Sequence, residues 1–185
     1  MFNFEDVKRL VDCACRALKA ENRYLEGCFK ERGWLVTENG AGICDNPNER
    51  YYQFVIWREL MNSFSWRSRT ERDGYDLAFY EGAKSEPIAY AEIKCWWSWN
   101  GKSEVRGIRR DLTGKLGIAE HPGVMLILTC HLAEDAKENF DWLAEKLDVD
   151  RSAMVTKSFP VSSGPGDEDD WEFAVVGIPV KPAAS

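Results

Sequence analysis

Three ionisable residues stand inside short segments whose other positions alternate with apolar character. Asp76 lies in Tyr75–Tyr80, which reads YDLAFY, and Glu92 and Lys94 lie in Ile88–Cys95, which reads IAYAEIKC. Residues two apart in a strand share a face. Glu92 and Lys94 therefore project together while Ile93 and Cys95 point the other way, and Asp76 shares its face with Ala78 and Tyr80. Charges in mid-strand are depleted, and buried charges are costly unless paired or bound to a metal. Two carboxylates and an ammonium on one sheet surface suit phosphodiester hydrolysis. The carboxylates, Asp76 and Glu92, would hold Mg²⁺ or Mn²⁺, which polarises the phosphate and lowers the pKa of the attacking water. Lys94 would place positive charge beside the developing phosphorane.

The elements that must position these residues follow from periodicity. Val7, Leu10, Val11, Ala14, Ala17, Leu18, Leu25 and Phe29 line one face of a long helix that stops near Gly33. After a loop, Asn46-Pro47-Asn48-Glu49 predicts a helix start with Asn46 as cap, Pro47 first and Glu49 third, running to about Phe64. Trp66–Glu71, Tyr75–Tyr80 and Ile88–Cys95, separated by turns at Asp73-Gly74 and Gly82, predict an antiparallel meander. A helix from about Lys102 to Glu120 places Val105, Ile108, Leu112 and Leu116 on one face and Lys102, Arg106, Arg109 and Arg110 on the adjoining one. Gly107, Gly114 and Gly117 weaken it by about 1 kcal/mol each, so packing must hold it. Val124–Cys130 is an apolar run suited to the middle of a sheet covered on both faces. A helix through Ala136, Phe140, Leu143 and Leu147 and a strand over Trp171–Val180 complete one α/β domain, a mixed β-sheet flanked by helices. It divides into an N-terminal helical extension (1–45), a core (46–131) and a C-terminal helix and strand (132–185).

The stretch GYDLAFYEGAKSEPIAYAEIKCWW resembles the PD-(D/E)XK nuclease superfamily, with Asp76 as the first acid and Glu92-Ile93-Lys94 as the E-x-K. Tyr75 stands where the motif name has Pro. The order of elements from about Pro47 to Cys130 is also similar. The resemblance implies a restriction-endonuclease-like core, here with an extra N-terminal helix, and a Mg²⁺- or Mn²⁺-dependent nuclease acting on DNA. Asp76 and Glu92 would be metal ligands and Lys94 catalytic. Such proteins often take a further acid from the first core helix; Glu49 fits by its place, Gln53 lies one turn on, and Glu59 is the competing choice. The helix after the E-x-K borders the cleft in that family, which makes Lys102, Arg106, Arg109 and Arg110 candidates for phosphate contacts. Trp97 and Trp99, just beyond the motif, are candidates for stacking on bases, with Trp97 or Trp99 expected to be exposed.

Plainer accounts stand beside each assignment. Asp76 also reads as a strand-end acid near a turn, Glu92 and Lys94 as a solvated strand face, Glu49 as a capping-box residue, and the tryptophans as packing. His121 and His131 read as structural, and Asp167–Asp170 as a solvated loop. The 185 residues carry a net charge of -7, and the last sixty-five hold twelve acids against five bases. That balance argues against indiscriminate coating of nucleic acid and leaves one basic cluster, Lys102 to Lys115. The six cysteines form no C-x-x-C and are expected to be reduced, and no apolar run approaches the ~20 residues of a membrane span. With no signal-like N-terminus, a cytoplasmic protein without membrane partners is expected. Beside a nucleic-acid partner, the other function these features allow is a catalytically silent immunity or regulatory protein that binds a protein partner or a second copy of itself.

Overall fold

The computed structural model describes residues 2–32, 42–45, 48–97, 101–162 and 170–183. The elements are α1 (Phe4–Arg32), α2 (Glu49–Ser63), β1 (Trp66–Arg72), β2 (Tyr75–Glu81), β3 (Ala89–Trp96), α3 (Lys102–Asp111), β4 (Gly123–Leu132), α4 (Ala136–Leu147), β5 (Val155–Val161) and β6 (Trp171–Val180). The six strands form one mixed sheet in the order β1-β2-β3-β4-β6-β5. β1, β2 and β3 are the expected antiparallel meander, and Asp73 and Gly74, both with positive φ, make the two-residue turn between β1 and β2. β3 and β4 are parallel, so the chain must cross over between them, and α3 makes that crossing.

Each face of the sheet carries its own core. Leu77, Phe79, Ile93, Leu126 and Val175 pack under α1 and α2, and Ala78, Tyr80, Met125, Ile127 and Val176 pack under α3 and α4. β4 lies in the middle, covered on both faces, which is why Val124–Leu128 is apolar without alternation. Gly177 lets α1 settle on β6, because a Cβ there would collide with Val11 Cγ2. Among the described residues no helix is long and apolar enough to cross a membrane. The six cysteines are free thiols, and Cys44 Sγ lies 3.5 Å from Cys130 Sγ, a proximity that their spacing does not reveal.

Three expectations are corrected. The cap of α2 is Asn48, whose side chain accepts from the backbone N–H of Arg50 and Tyr51, so Glu49 is the first helical residue and not a capping-box partner. Asn46 and Pro47 lie outside the described residues, as do Asp167–Asp169. The single helix expected over Lys102–Glu120 stops as an α-helix at Asp111 and continues as a π turn over Leu112–Leu116. Thr113 Oγ1 donates to Arg109 O, and the Gly117 N–H reaches back five residues to Leu112 O, the bond that defines the wider turn. Finally, β5 is a strand the pattern did not announce. Lys157 interrupts the apolar alternation of Val155, Phe159 and Val161, and Pro160 lacks an N–H; both are tolerated because β5 is an edge strand, where Pro lacks no ladder donor that matters.

Candidate active site

The β2–β3 ladder runs only from Phe79–Ala89 to Leu77–Ala91. Beyond it side chains replace the backbone ladder. The Ile93 N–H donates to Asp76 Oδ2 at 2.7 Å, and the Asp76 N–H approaches Glu92 Oε1 at 3.3 Å. The next two alternate donors along β3 do the same: Cys95 N–H to Glu49 Oε2 and Trp97 N–H to Glu104 Oε2, each 3.3 Å. Three carboxylates from β2, α2 and α3 are thus anchored on the amides that β3 no longer shares with β2. Fixed donors of this kind hold carboxylates in place.

Glu92, 1% exposed, lies at the bottom of the group. Burial pushes its carboxyl above the ordinary glutamate range and the Asp76 carboxylate adds to the shift; the hydrogen bond and charge of Lys115 and the charge of Lys94 oppose it. Lys115, carried by the π turn, places Nζ 2.5 Å from Glu92 Oε1. Lys94 Nζ sits 3.3 Å from Glu49 Oε1 and 3.4 Å from Asp111 Oδ2. Burial tends to depress the Lys94 ammonium, yet Glu49, Asp76, Asp111 and Glu92 outweigh it and hold its pKa above that of a free lysine. Lys94 is therefore a cation at any physiological pH and not a base. Asp111 is held below the ordinary aspartate range, the Arg110 hydrogen bond and the Lys94 charge overcoming the larger effect of burial.

Asp76, Glu92 and Lys94 are thus brought together as their types and spacing suggested, and Glu49, which only the resemblance pointed to, lies beside Lys94. Glu59 is not: it pairs with Arg16 at 3.6 Å and accepts from Ser63. Gln53 is buried behind the group and donates to Asp76 O at 2.7 Å and Glu71 Oε1 at 3.1 Å, fixing the β2 backbone at Asp76. Glu71, directly across β1 from that point, has φ 51°, an uncommon left-handed conformation for such a side chain. Two members were missed, Asp111 and Lys115. Their spacing of four beside Leu112 and Leu116 was a signal, but a continuous α-helix gave no reason to aim both at β3.

The nucleic-acid candidates divide. Arg110 is at the rim through its ion pair with Asp111, while Arg106 and Arg109 line an open groove with Val105, Trp142 and Lys146. Lys102 is placed by its backbone, at the first position of α3. The Trp97 ring is half-buried against Tyr52 and Phe173, at centroid distances of 6.1 and 5.8 Å, so packing accounts for it and it is not the exposed ring. Trp99 lies outside the described residues. His121 packs beside Tyr90, and buried His131 bonds Leu132 O through Nδ1; neither lies in the charged cluster.

Among the described residues no group of three or more His, Cys, Asp or Glu is arranged to hold a metal ion. Asp76 and Glu92 nevertheless offer two hard oxygen donors, and a cation, the Lys115 ammonium, already stands on one of them. The chain is an α/β protein with a mixed six-stranded sheet flanked by helices, and its charged cluster sits where β2 and β3 part. No family model matches it, and neither a curated protein nor a solved structure does.

Proposed function

We propose that this chain is a metal-dependent nuclease of the PD-(D/E)XK type, with a restriction-endonuclease-like core, hydrolysing phosphodiester bonds of DNA in the cytoplasm. The observation that carries the reading is the pair of side-chain bonds across the open end of β2 and β3, Ile93 N–H donating to the Asp76 carboxylate and Asp76 N–H approaching the Glu92 carboxylate, with Lys94 beside them in a cage of acids. Mg²⁺ or Mn²⁺ fits this donor set, since Mg²⁺ takes one or two carboxylates and keeps waters for its remaining positions. Asp76 and Glu92 would hold the ion, which when bound polarises a phosphate and lowers the pKa of a water. Lys94 sets a fixed positive charge where phosphate charge develops. Glu49 and Asp111 hold the Lys94 ammonium in place, and Arg110 is positioned to meet the strand's backbone.

The test is cleavage of linear, circular and single-stranded DNA, and of RNA, with Mg²⁺, Mn²⁺ or EDTA. Asp76→Ala should abolish metal-dependent cutting, and Lys94→Ala should slow it by roughly 10²–10³-fold, the range seen on removing one charge-stabilising donor. Cutting that persists in both variants would sink the assignment. One observation favours a second reading, a catalytically silent partner-binding protein of the same fold: Lys115 already occupies Glu92 and closes the charge network. No cutting of any substrate, with no metal-induced rise in Tm, would decide for it.

A further inference from the structure

At the carboxyl ends of the parallel strands β3 and β4 lies a pocket whose walls include Trp96, Trp97, Thr129, His131, Asn139 and Trp171. Open α/β sheets commonly bind ligands beyond this end of their strands. Trp96 is 4% and His131 6% exposed, and among the described residues neither Trp96 Nε1 nor His131 Nε2 has a hydrogen-bond partner. His131 Nδ1 lies 2.8 Å from Leu132 O. A carbonyl only accepts, so the proton of the neutral ring is on Nδ1 and Nε2 presents a lone pair. Two residues that line the pocket thus carry one unpartnered donor and one unpartnered acceptor, both buried. Both rings are held: Trp96 stacks on Trp142 at 5.7 Å with planes 5° apart, and His131 stands edge-on to Phe140 at 5.2 Å. Neither is free to turn toward solvent for a partner, and buried polar groups without partners are costly.

We infer that this pocket receives a nucleobase, its hydrogen-bonding edge facing Trp96 Nε1 and His131 Nε2 and its ring among the indoles. Enzymes that take a base out of the stack read it in this way, by edge hydrogen bonds and by aromatic walls. The ligand class rests on the nucleic-acid reading above, while the geometry does not. Trp96 and Lys94 project from the same face of β3 two residues apart, roughly 7 Å. A nucleotide whose phosphate meets the Lys94 cluster thus has this pocket within reach of a neighbouring base. The sequence offered Trp97 and Trp99 as stacking candidates; the pocket moves that role to a recess whose walls include Trp96.

The experiment titrates ¹⁵N-labelled protein with adenosine and cytidine in EDTA. Nucleosides carry no phosphate, so the charged cluster contributes nothing to their binding. The chain has two histidines, which makes His121 an internal control for His131. A saturable shift of the His131 Nε2 signal and of the Trp96 indole N–H, with His121 unmoved, is expected. Trp96→Phe, its fold verified by thermal melting, should weaken binding roughly three- to tenfold, as loss of one hydrogen bond with the ring retained requires. A His131 signal that does not move in the wild type overturns the inference without any variant, and the pocket then holds water only. Binding that survives both Trp96→Phe and His131→Phe overturns it as well. A cleavage assay in parallel separates the two proposals. Nucleoside binding without cleavage keeps the pocket and removes the nuclease, and cleavage without nucleoside binding does the reverse.

Discussion

Glu92 is the most buried acid of the cluster and feels the charge of Asp76, so its protonation reports the state of the site. Its folded pKa is raised above the ordinary 4.5, by burial first and by Asp76 in addition. A raised pKa means that its contribution to stability is fully present below about pH 4.5 and is lost as pH rises through the folded value. Above that value the ionised side chain is a cost to the fold unless a cation balances it, and Lys115 balances it in part. Replacing Glu92 by Gln should therefore improve relative stability as pH rises through the folded pKa, with urea melts at pH 4 to 8 as the measurement. Carboxyl ¹³C shifts should place the Glu92 midpoint above 4.5, higher still in Lys115→Met and lower in Asp76→Asn. A stability difference that stays flat across the window would mean that burial does not govern Glu92. Under the proposed function the same titration carries a sign for activity: the acidic limb of the rate profile should lie above the ordinary glutamate range and move to higher pH in Lys115→Met.

At the scale of elements, the close approach of α1 to the sheet depends on one missing atom. Gly177 in β6 faces Val11 of α1, which is fully buried and has no room to move aside. Gly177→Ala should cost about 1–3 kcal/mol, the usual penalty for an added carbon in a packed core. Val11→Ala in the same chain should recover part of it, and a double-mutant cycle of chemical denaturation measures the coupling. Equal, additive costs would mean that α1 packs elsewhere. The elements with strong periodicity were legible in the sequence: α1 through its apolar face, the meander through alternation and the Asp73-Gly74 turn, β4 through its unbroken apolar run. What escaped had physical causes. β5 alternates poorly because an edge strand need not, and the cap of α2 fell on Asn48 because Asn46 and Asn48 carry the same signal two residues apart. The site was legible where strand period alone aligns side chains, in Asp76, Glu92 and Lys94. It was not legible where a helix changes its winding, so Lys115 emerged only from the π turn that carries it and Asp111 only from the end of α3 just before that turn.

For the whole molecule the question is how a chain of net charge -7 approaches a polyanion. The acids crowd the last third, so the mean field repels nucleic acid, and attraction has to be local, from α3 and its neighbours. Three exposed arginines lie there, Arg106, Arg109 and Arg110, the last bonded to Asp111 at the rim of the cluster. Each phosphate neutralised on a single strand contributes about -0.7 to the slope of log K against log salt, so three contacts predict a slope near -2, modest beside that of a basic DNA-binding protein. Arg110→Ala should reduce that slope by about 0.7 and weaken binding alike for all sequences, as loss of a phosphate contact does. Fluorescence anisotropy of a labelled single strand in EDTA, from 50 to 200 mM salt, reads both quantities without cleavage. If Arg106→Ala and Arg109→Ala lower the slope and Arg110→Ala does not, the strand follows the groove beside Trp142 and misses the carboxylates, and the nuclease assignment loses its approach path. If all three lower it, the strand spans from that groove to the mouth of the β2–β3 opening, where Lys94 waits as a fixed cation.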